Sequence, residues 1–399
     1  MKIGLIKENK FPVDKRVVMT PFQCELFKQR FPQIELVVQS SEYRCFTDKE
    51  YMHSGIDIVN DVNDCDILFG VKEVPLELLL ESKTYFFFSH TVKMQPYNRN
   101  LLARMVDLKI KMIDYEVIKN NGRRLLGFGR YAGVVGCYNG VLTYGKRTHL
   151  FDLKPAYLCN DRKELESELK KVNLGKSKII VTGNGRVGKG ALEIIKLLGI
   201  KQVSKADFKN IEYDVPVYVH LDFLDYNVRI DGSAFSSNEF FSNPKLFRST
   251  FMEYASCADI LIAGHYYAQG SPYLFTREDV RSPLFNIRTV ADISCDINGP
   301  VASTIRSSTI QNPIYGYNPL TETEDKFDND NVISVMAVDN LPCELPKDSS
   351  EDFGYQLLNE IFPLLFHCKD SDIIKDATIC DNGDLTSNFE YLRDFLEQD

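Results

Sequence analysis

Short apolar runs alternate with helical patterns along nearly the whole chain. In the first third, residues 2–6, 35–38, 67–71, 84–89 and 111–114 read as strands. Residues 21–30, 75–80 and 95–107 read as helices. This alternation predicts an α/β fold with parallel sheets. The stretch 133–145, rich in glycine and small residues, starts a long helix that carries the chain into a second domain. There, residues 217–220, 260–263, 289–292, 313–315 and 331–338 read as strands. Residues 210–256 form an aromatic, polar insertion that a minimal mononucleotide fold does not need. Pro342 and Pro346 lie close enough together to forbid regular helix or central strand, so 339–346 reads as a rigid connector. Residues 349–368 then read as an apolar-faced helix and 387–396 as a last short one. A chain that leaves one domain and later returns predicts two Rossmann-like domains, 1–132 with 340–399 and 133–339. The active site is expected in the cleft between them.

The strongest local signal is Lys178-Ile-Ile-Val-Thr-Gly183-Asn-Gly185-Arg186-Val187-Gly188, a buried strand, a glycine turn and the start of an apolar-faced helix. This is the unit that seats a dinucleotide pyrophosphate on a helix N-terminus. Gly183 makes the turn, Gly185 lets the backbone approach the phosphates, and Gly188 lets helix and strand pack closely. Asp207, near the expected end of the next strand, is placed to accept the ribose hydroxyls and repel a 2′-phosphate. The same run also has a plainer reading, a glycine turn with no ligand.

Composition narrows the class. The chain has 399 residues, 44% hydrophobic and 26% charged, with a net charge of −9. This is ordinary globular composition, and length suggests two or three domains. Basic residues are scattered, which argues against nucleic acid and anionic membranes as partners. No apolar run reaches membrane-spanning length. The N-terminus reads as a strand rather than a signal peptide. The ten cysteines form no CxxC pair, and read as reduced thiols of a cytoplasmic protein. No histidine falls at ligand spacing from them, so no metal site is expected.

The first domain carries a compact set of candidate groups. Arg16 lies in a loop after the first strand, where its fork can hold a carboxylate or serve as a solvated cation. Lys72 ends the apolar run 67–71, where α/β sheets place ligands, and partial burial would draw its amine toward use as a base. His90 ends the next strand; alone it reads more often as a satisfied core or capping group than as a catalytic one. Two titratable residues ending successive strands point to acid–base work. Glu116 ends a further strand and can tune either, or pair with Arg123 or Arg124. His53, His149, His220 and His367 read as structural.

These residues resemble a known family. Lys72-Glu-Val-Pro, Phe88-Ser-His90-Thr-Val-Lys-Met-Gln95, Asp114-Tyr-Glu116 and Gly122-Arg-Arg124-Leu-Leu-Gly-Phe128-Gly-Arg-Tyr-Ala-Gly133 are similar to blocks of the lysine-forming saccharopine dehydrogenases. They also resemble the lysine–ketoglutarate reductase half of bifunctional enzymes. Ala291-Asp-Ile-Ser-Cys-Asp296 and Val338-Asp339-Asn-Leu-Pro-Cys-Glu-Leu-Pro346 extend the resemblance over almost the whole chain. The wider superfamily includes alanine dehydrogenase and the NAD-binding part of transhydrogenase.

The resemblance implies Lys72 and His90 as the acid–base pair. It implies substrate contacts at Arg16, Glu73, Gln95, Arg124 and Phe128, with Glu116 beside them. It implies dinucleotide contacts at Arg123, Gly185, Arg186, Asp207, Tyr266, Val338, Asp339, Asn340 and Leu341. Gly183, Val187 and Gly188 join these through the glycine fingerprint. The implied activity is reversible oxidation of an opine-type secondary amine, saccharopine, by NAD and water to lysine and 2-oxoglutarate. NADP is the alternative cofactor, since Lys205 and Lys209 flank Asp207. Alanine dehydrogenase is the rival enzyme, and a non-catalytic NAD(H) sensor or transhydrogenase-like subunit the rival of another class. The expected partners are small amino and 2-oxo acids, and the expected state is a monomer or homo-oligomer.

Overall fold

The computed structural model describes residues 1–9, 12–368 and 371–397. The chain divides into two compact units, Met1–Phe128 with Pro346–Asp399, and Gly129–Leu345.

Unit 1 is built on a sheet in the order Asp384–Leu385, Thr378–Asp381, Lys111–Asp114, Thr84–Phe88, Ile67–Lys72, Lys2–Leu5, Glu35–Gln39, Asp57–Val59. From Lys111–Asp114 onward the strands are parallel, as their near-continuous apolar sequences require of a sheet covered on both faces. The C-terminal segment adds the antiparallel pair at the other edge, a contribution that the sequence pattern did not announce. Phe69 and Phe86, opposed in the ladder, stack with centroids 4.6 Å apart. The helix Pro21–Arg30 begins where its chemistry says it should. Thr20 and Gln23 cap each other reciprocally, and Pro21 occupies the first turn, where no N–H is needed. The helix expected at 75–80 is instead one 3₁₀ turn, Leu76–Leu78, because Leu79 turns extended and buries its side chain. The helix expected at 349–368 runs from Pro346 with one π turn at Leu357–Ile361, followed by Phe362–Phe366. Pro363 has no N–H to return, and the widened turn ahead of it absorbs that loss.

Unit 2 carries the sheet Lys201–Gln202, Val217–Leu221, Lys178–Thr182, Ile260–Ala263, Thr289–Asp292, Ile333–Met336, Ile314–Asn318, Thr323–Asp325. The last two are antiparallel, so the strand expected at 313–315 forms a hairpin at one edge rather than a parallel member. Chain order reverses between Lys178–Thr182 and Ile260–Ala263, the switch point where α/β sheets open a crevice. The helix Gly129–Thr148 lies against the helix Arg186–Leu197 with backbone almost touching. A Cβ on Gly133 would stand 1.9 Å from the Val187 carbonyl oxygen. The insertion folds as a hairpin, Asn227–Arg229 with Phe247–Ser249, around the helix Ser237–Ser242. Within it, Phe247 packs edge to face against both Phe235 and Phe240. Among the described residues no helix is long and apolar enough to cross a membrane.

Candidate active site and dinucleotide cradle

Three neighbouring parallel strands of unit 1 end at one level. The ladder pairs Lys72 with Phe88 and Phe87 with Asp114. Lys72 therefore ends one strand, His90 follows the next by two residues, and Glu116 follows the third. The His90 Nδ1 lies 3.2 Å from Glu116 Oε2. Arg124 donates to the other oxygen of Glu116 at 3.2 Å, and Lys93 approaches that oxygen at 3.6 Å. Burial by itself would raise the Glu116 carboxyl. The His90 hydrogen bond and the charges of Lys93 and Arg124 outweigh it and bring the group down to about 2. Glu116 is thus a carboxylate at neutral pH, and it holds Nδ1 as the protonated nitrogen. That leaves Nε2 as the basic face of the ring.

The pair is held from beneath by Asp114, which is fully buried. Its Oδ2 accepts the Ser89 N–H at 3.0 Å and the Ser89 hydroxyl, and its Oδ1 accepts the Glu116 N–H at 2.7 Å. One carboxyl thereby locks both turns that present His90 and Glu116. His90 itself sits in the left-handed region, with φ of 57°, a conformation that costs about 1–2 kcal/mol for a non-glycine residue and needs such an anchor.

Arg16 is not the solvated loop cation of its plainer reading. It is 3% exposed. Its Nε and Nη2 grip the Asp14 carboxylate at 3.0 and 2.6 Å, and its guanidinium lies 4.2 Å over the Phe128 ring. Phe128 in turn stacks on Phe353 at 4.5 Å. Burial would raise Asp14, but Arg16 and then Lys72 hold it down at about 2. Lys72, Arg16 and Asp14 thus share one electrostatic neighbourhood.

In unit 2, Gly183 has φ of 97°, and a Cβ there would meet the Gly264 carbonyl oxygen at 2.3 Å. A Cβ on Gly188 would lie 1.8 Å from the Gly183 oxygen, whereas one on Gly185 would meet nothing within 4 Å. Gly185 caps the helix Arg186–Leu197 without a side chain, so the first helical N–H groups lack a side-chain cap. The turn is braced by His220, whose Nε2 donates to the Gly183 carbonyl at 2.9 Å, and by His265, whose Nδ1 lies 3.1 Å from Thr182 Oγ1.

The alanine dehydrogenase/PNT N-terminal domain family matches residues 4–135. The chain is 27% identical to the alpha-aminoadipic semialdehyde synthase of Arabidopsis thaliana, over 98% of its own length and 41% of that protein's. It is 25% identical to the saccharopine dehydrogenase [NAD(+), L-lysine-forming] of Emericella nidulans, over 93% of both chains. The chain is thus similar to saccharopine dehydrogenases over nearly its whole length, and residues 4–135 match the N-terminal domain shared with alanine dehydrogenase. It spans less than half the length of the synthases it matches. An L-alanine dehydrogenase structure shares the fold, with a TM-score of 0.64 at 16% identity over 99% of this chain and 100% of that one.

The remaining residues implied by the family resemblance are spread over several settings. Glu73 lines a cavity of about 360 Å³ with Tyr97 and Asn98. Gln95 is exposed and accepts the Tyr97 hydroxyl. Arg123 is an exposed surface group 3.6 Å from Glu360. Tyr266 is 80% exposed. Val338 and Leu341 are core residues of unit 2, with Asp339 and Asn340 between them at the surface side.

Asp207 does not end the strand beside the glycine strand. The strand Lys201–Gln202 is a two-residue edge piece, and Asp207 lies in the following helix, Lys205–Asn210, with its N–H on the Ser204 hydroxyl. On that side the neighbour of Lys178–Thr182 is Val217–Leu221, and the residue that follows it is Asp222. The Asn184 amide, inside the glycine turn, donates to the Asp222 carboxylate. Asp222 was detectable as the first polar residue after an apolar strand. What hid it was strand order, since the strand next in sequence is not the strand next in space. Asp14 and Asp114 were missed because each acts through a partner that only the fold supplies.

Proposed function

We propose that the protein is an NAD-dependent oxidoreductase acting on the CH–NH bond of an opine-type amino acid, saccharopine, and that it forms lysine and 2-oxoglutarate reversibly. The array of Lys72 and the His90–Glu116 pair at the ends of adjacent strands carries this reading.

The cradle around Gly183, Gly185 and Gly188 fits a pyrophosphate: open space at Gly185, a close-packed Gly188 and uncapped helical N–H groups. Nicotinamide dinucleotide, when bound, supplies the acceptor for the hydride from the carbon that bears the secondary amine. Asp222, following the strand beside the cradle, supports NAD over NADP, because a carboxylate there accepts ribose hydroxyls and repels a 2′-phosphate. Lys72 takes the proton of the substrate amine. His90, through Nε2, moves protons to and from water as the imine is hydrated and the carbinolamine breaks down. Glu116 stabilises the imidazolium that forms in between. Arg16 and Arg124 attract the substrate carboxylates, Arg16 from a guanidinium already oriented by Asp14.

The test is oxidation of NADH and NADPH by the purified protein with lysine plus 2-oxoglutarate, and separately with ammonia plus pyruvate. Turnover with the first pair is expected, with NADH preferred. Turnover with the second pair alone would make the protein an alanine dehydrogenase, and silence with both would refute the reading. Lys72→Ala and His90→Ala should each lower turnover by roughly 10²–10⁴.

A further inference from the structure

We propose that Glu8 is the positioning residue for Lys72, clamping the strand end from which the Lys72 side chain departs. The strand Lys2–Leu5 pairs with Ile67–Lys72 only as far as Leu5 opposite Phe69. Ile6 still donates to the Phe69 carbonyl at 3.0 Å, and beyond that the ladder stops. Glu8 takes over. Its Oε1 accepts the Val71 N–H at 2.7 Å and its Oε2 accepts the Lys72 N–H at 2.9 Å. In a regular strand, successive N–H groups point to opposite edges, so no single group reaches both. Here the pairing with Thr84–Phe88 shifts register between Phe69 and Lys72, and that irregularity turns both N–H groups to one side. A carboxylate that spans them fixes the peptide plane between Val71 and Lys72, and with it the direction of the Lys72 Cα–Cβ bond.

Asp14 and Arg16 act on the Glu8 carboxyl by charge, Val71 and Lys72 through their N–H groups. The Glu8 charge in turn helps to raise the buried phenol of Tyr115, whose hydroxyl has no hydrogen-bond partner among the described residues. Glu8 is half-buried. Burial, then Asp14, push its carboxyl up to about 8 against the two N–H bonds and Arg16. Ionised, both oxygens accept. Protonated, one oxygen carries a hydrogen and the clamp loosens. Lys72 is therefore held more firmly as pH rises through this range.

The inference deepens the proposed function and rests on its assignment of proton transfer to Lys72. Glu8→Gln, made in the full chain, keeps the size and one acceptor but turns an NH₂ toward the second N–H. It should lower kcat by about 10- to 100-fold, leave NADH affinity within about twofold, and remove from the kcat–pH profile the ionisation that wild type shows. An unchanged kcat and profile would overturn the proposal. Amide hydrogen exchange of the wild-type peptide containing Val71 and Lys72 needs neither variant nor turnover. Corrected for intrinsic rates, its protection should rise between about pH 6 and 9; flat protection would overturn the clamp even if Glu8→Gln failed to fold. Failure of the Lys72 assignment would show differently, as full turnover in Lys72→Ala with that protection intact.

Discussion

Gly185 and Gly188 stand three residues apart in one turn, yet the structure assigns them opposite sensitivities to a single methyl group. At Gly188 an added Cβ would lie 1.8 Å from the Gly183 carbonyl oxygen, and must recede to the 3.4 Å of ordinary contact. The obstacle is backbone, and Gly183 is itself confined by the Gly264 oxygen at 2.3 Å from its own added Cβ. Neither side can yield without moving the helix Arg186–Leu197, which is in backbone contact with Gly129–Thr148. Over-packing of this kind costs about 1–3 kcal/mol, and a rigid obstacle places Gly188→Ala at the upper end. For a unit of this size each kcal/mol lowers Tm by roughly 2–4 °C. At Gly185 the methyl meets nothing within 4 Å. Loss of a favoured cap residue is offset by reduced unfolded-chain entropy, so Gly185→Ala should keep its stability within about 0.5 kcal/mol. The methyl would occupy the space where a pyrophosphate approaches, so NADH affinity should fall by about tenfold or more, some 1.4 kcal/mol. Thermal unfolding and NADH fluorescence titration of both variants read the two effects separately. A Gly185→Ala protein that binds NADH within twofold of wild type, or a Gly188→Ala protein with an unchanged Tm, would refute the reasoning.

Three further outcomes follow from the charges. Asp222→Ser should raise the NADPH-to-NADH ratio of kcat/KM by about tenfold or more, while Asp207→Ser leaves it unchanged; steady-state rates with both nucleotides decide this. Glu344, buried with Asn139 Nδ2 at 2.8 Å, is pushed by burial from 4.5 up to about 8. Between those values the folded chain holds a proton that the unfolded chain releases, so its contribution to stability falls as pH rises. Glu344→Gln keeps an acceptor for Asn139 and removes that ionisation, and should gain about 1–3 kcal/mol over wild type at pH 8 relative to pH 5 in urea unfolding. Asp14, held down at about 2, has the opposite sign: its stabilisation is present above its ordinary value of 3.8 and is lost as pH falls toward 2. Asp14→Asn should cost about 2–3 kcal/mol at pH 7 by removing the charge that faces the buried Arg16, and the gap should close on acidification, again by urea unfolding.

Much of this was legible along the chain. Thr20, Pro21 and Gln23 announce a helix start, and the helix is there. The apolar run into Lys72 and the one before His90 are strands of a parallel sheet, as their composition requires, and their C-terminal ends are level. The glycine spacing sets out a turn and a helix start, because each glycine answers a steric demand within a few residues of itself. Such features depend on periodicity, capping and backbone sterics, which act over short stretches of sequence. What the fold alone decided involves partners distant in sequence. Thr378–Asp381 completes a sheet begun at the other end of the chain. Val217–Leu221, not Lys201–Gln202, lies beside the glycine strand, and so Asp222 rather than Asp207 stands next to the cradle. Asp114 reaches Ser89, and Glu8 reaches Val71 and Lys72, across loops whose lengths say nothing of where they return. Strand order and the burial of charge are settled by which surfaces pack together, and that competition is decided only when the whole core assembles.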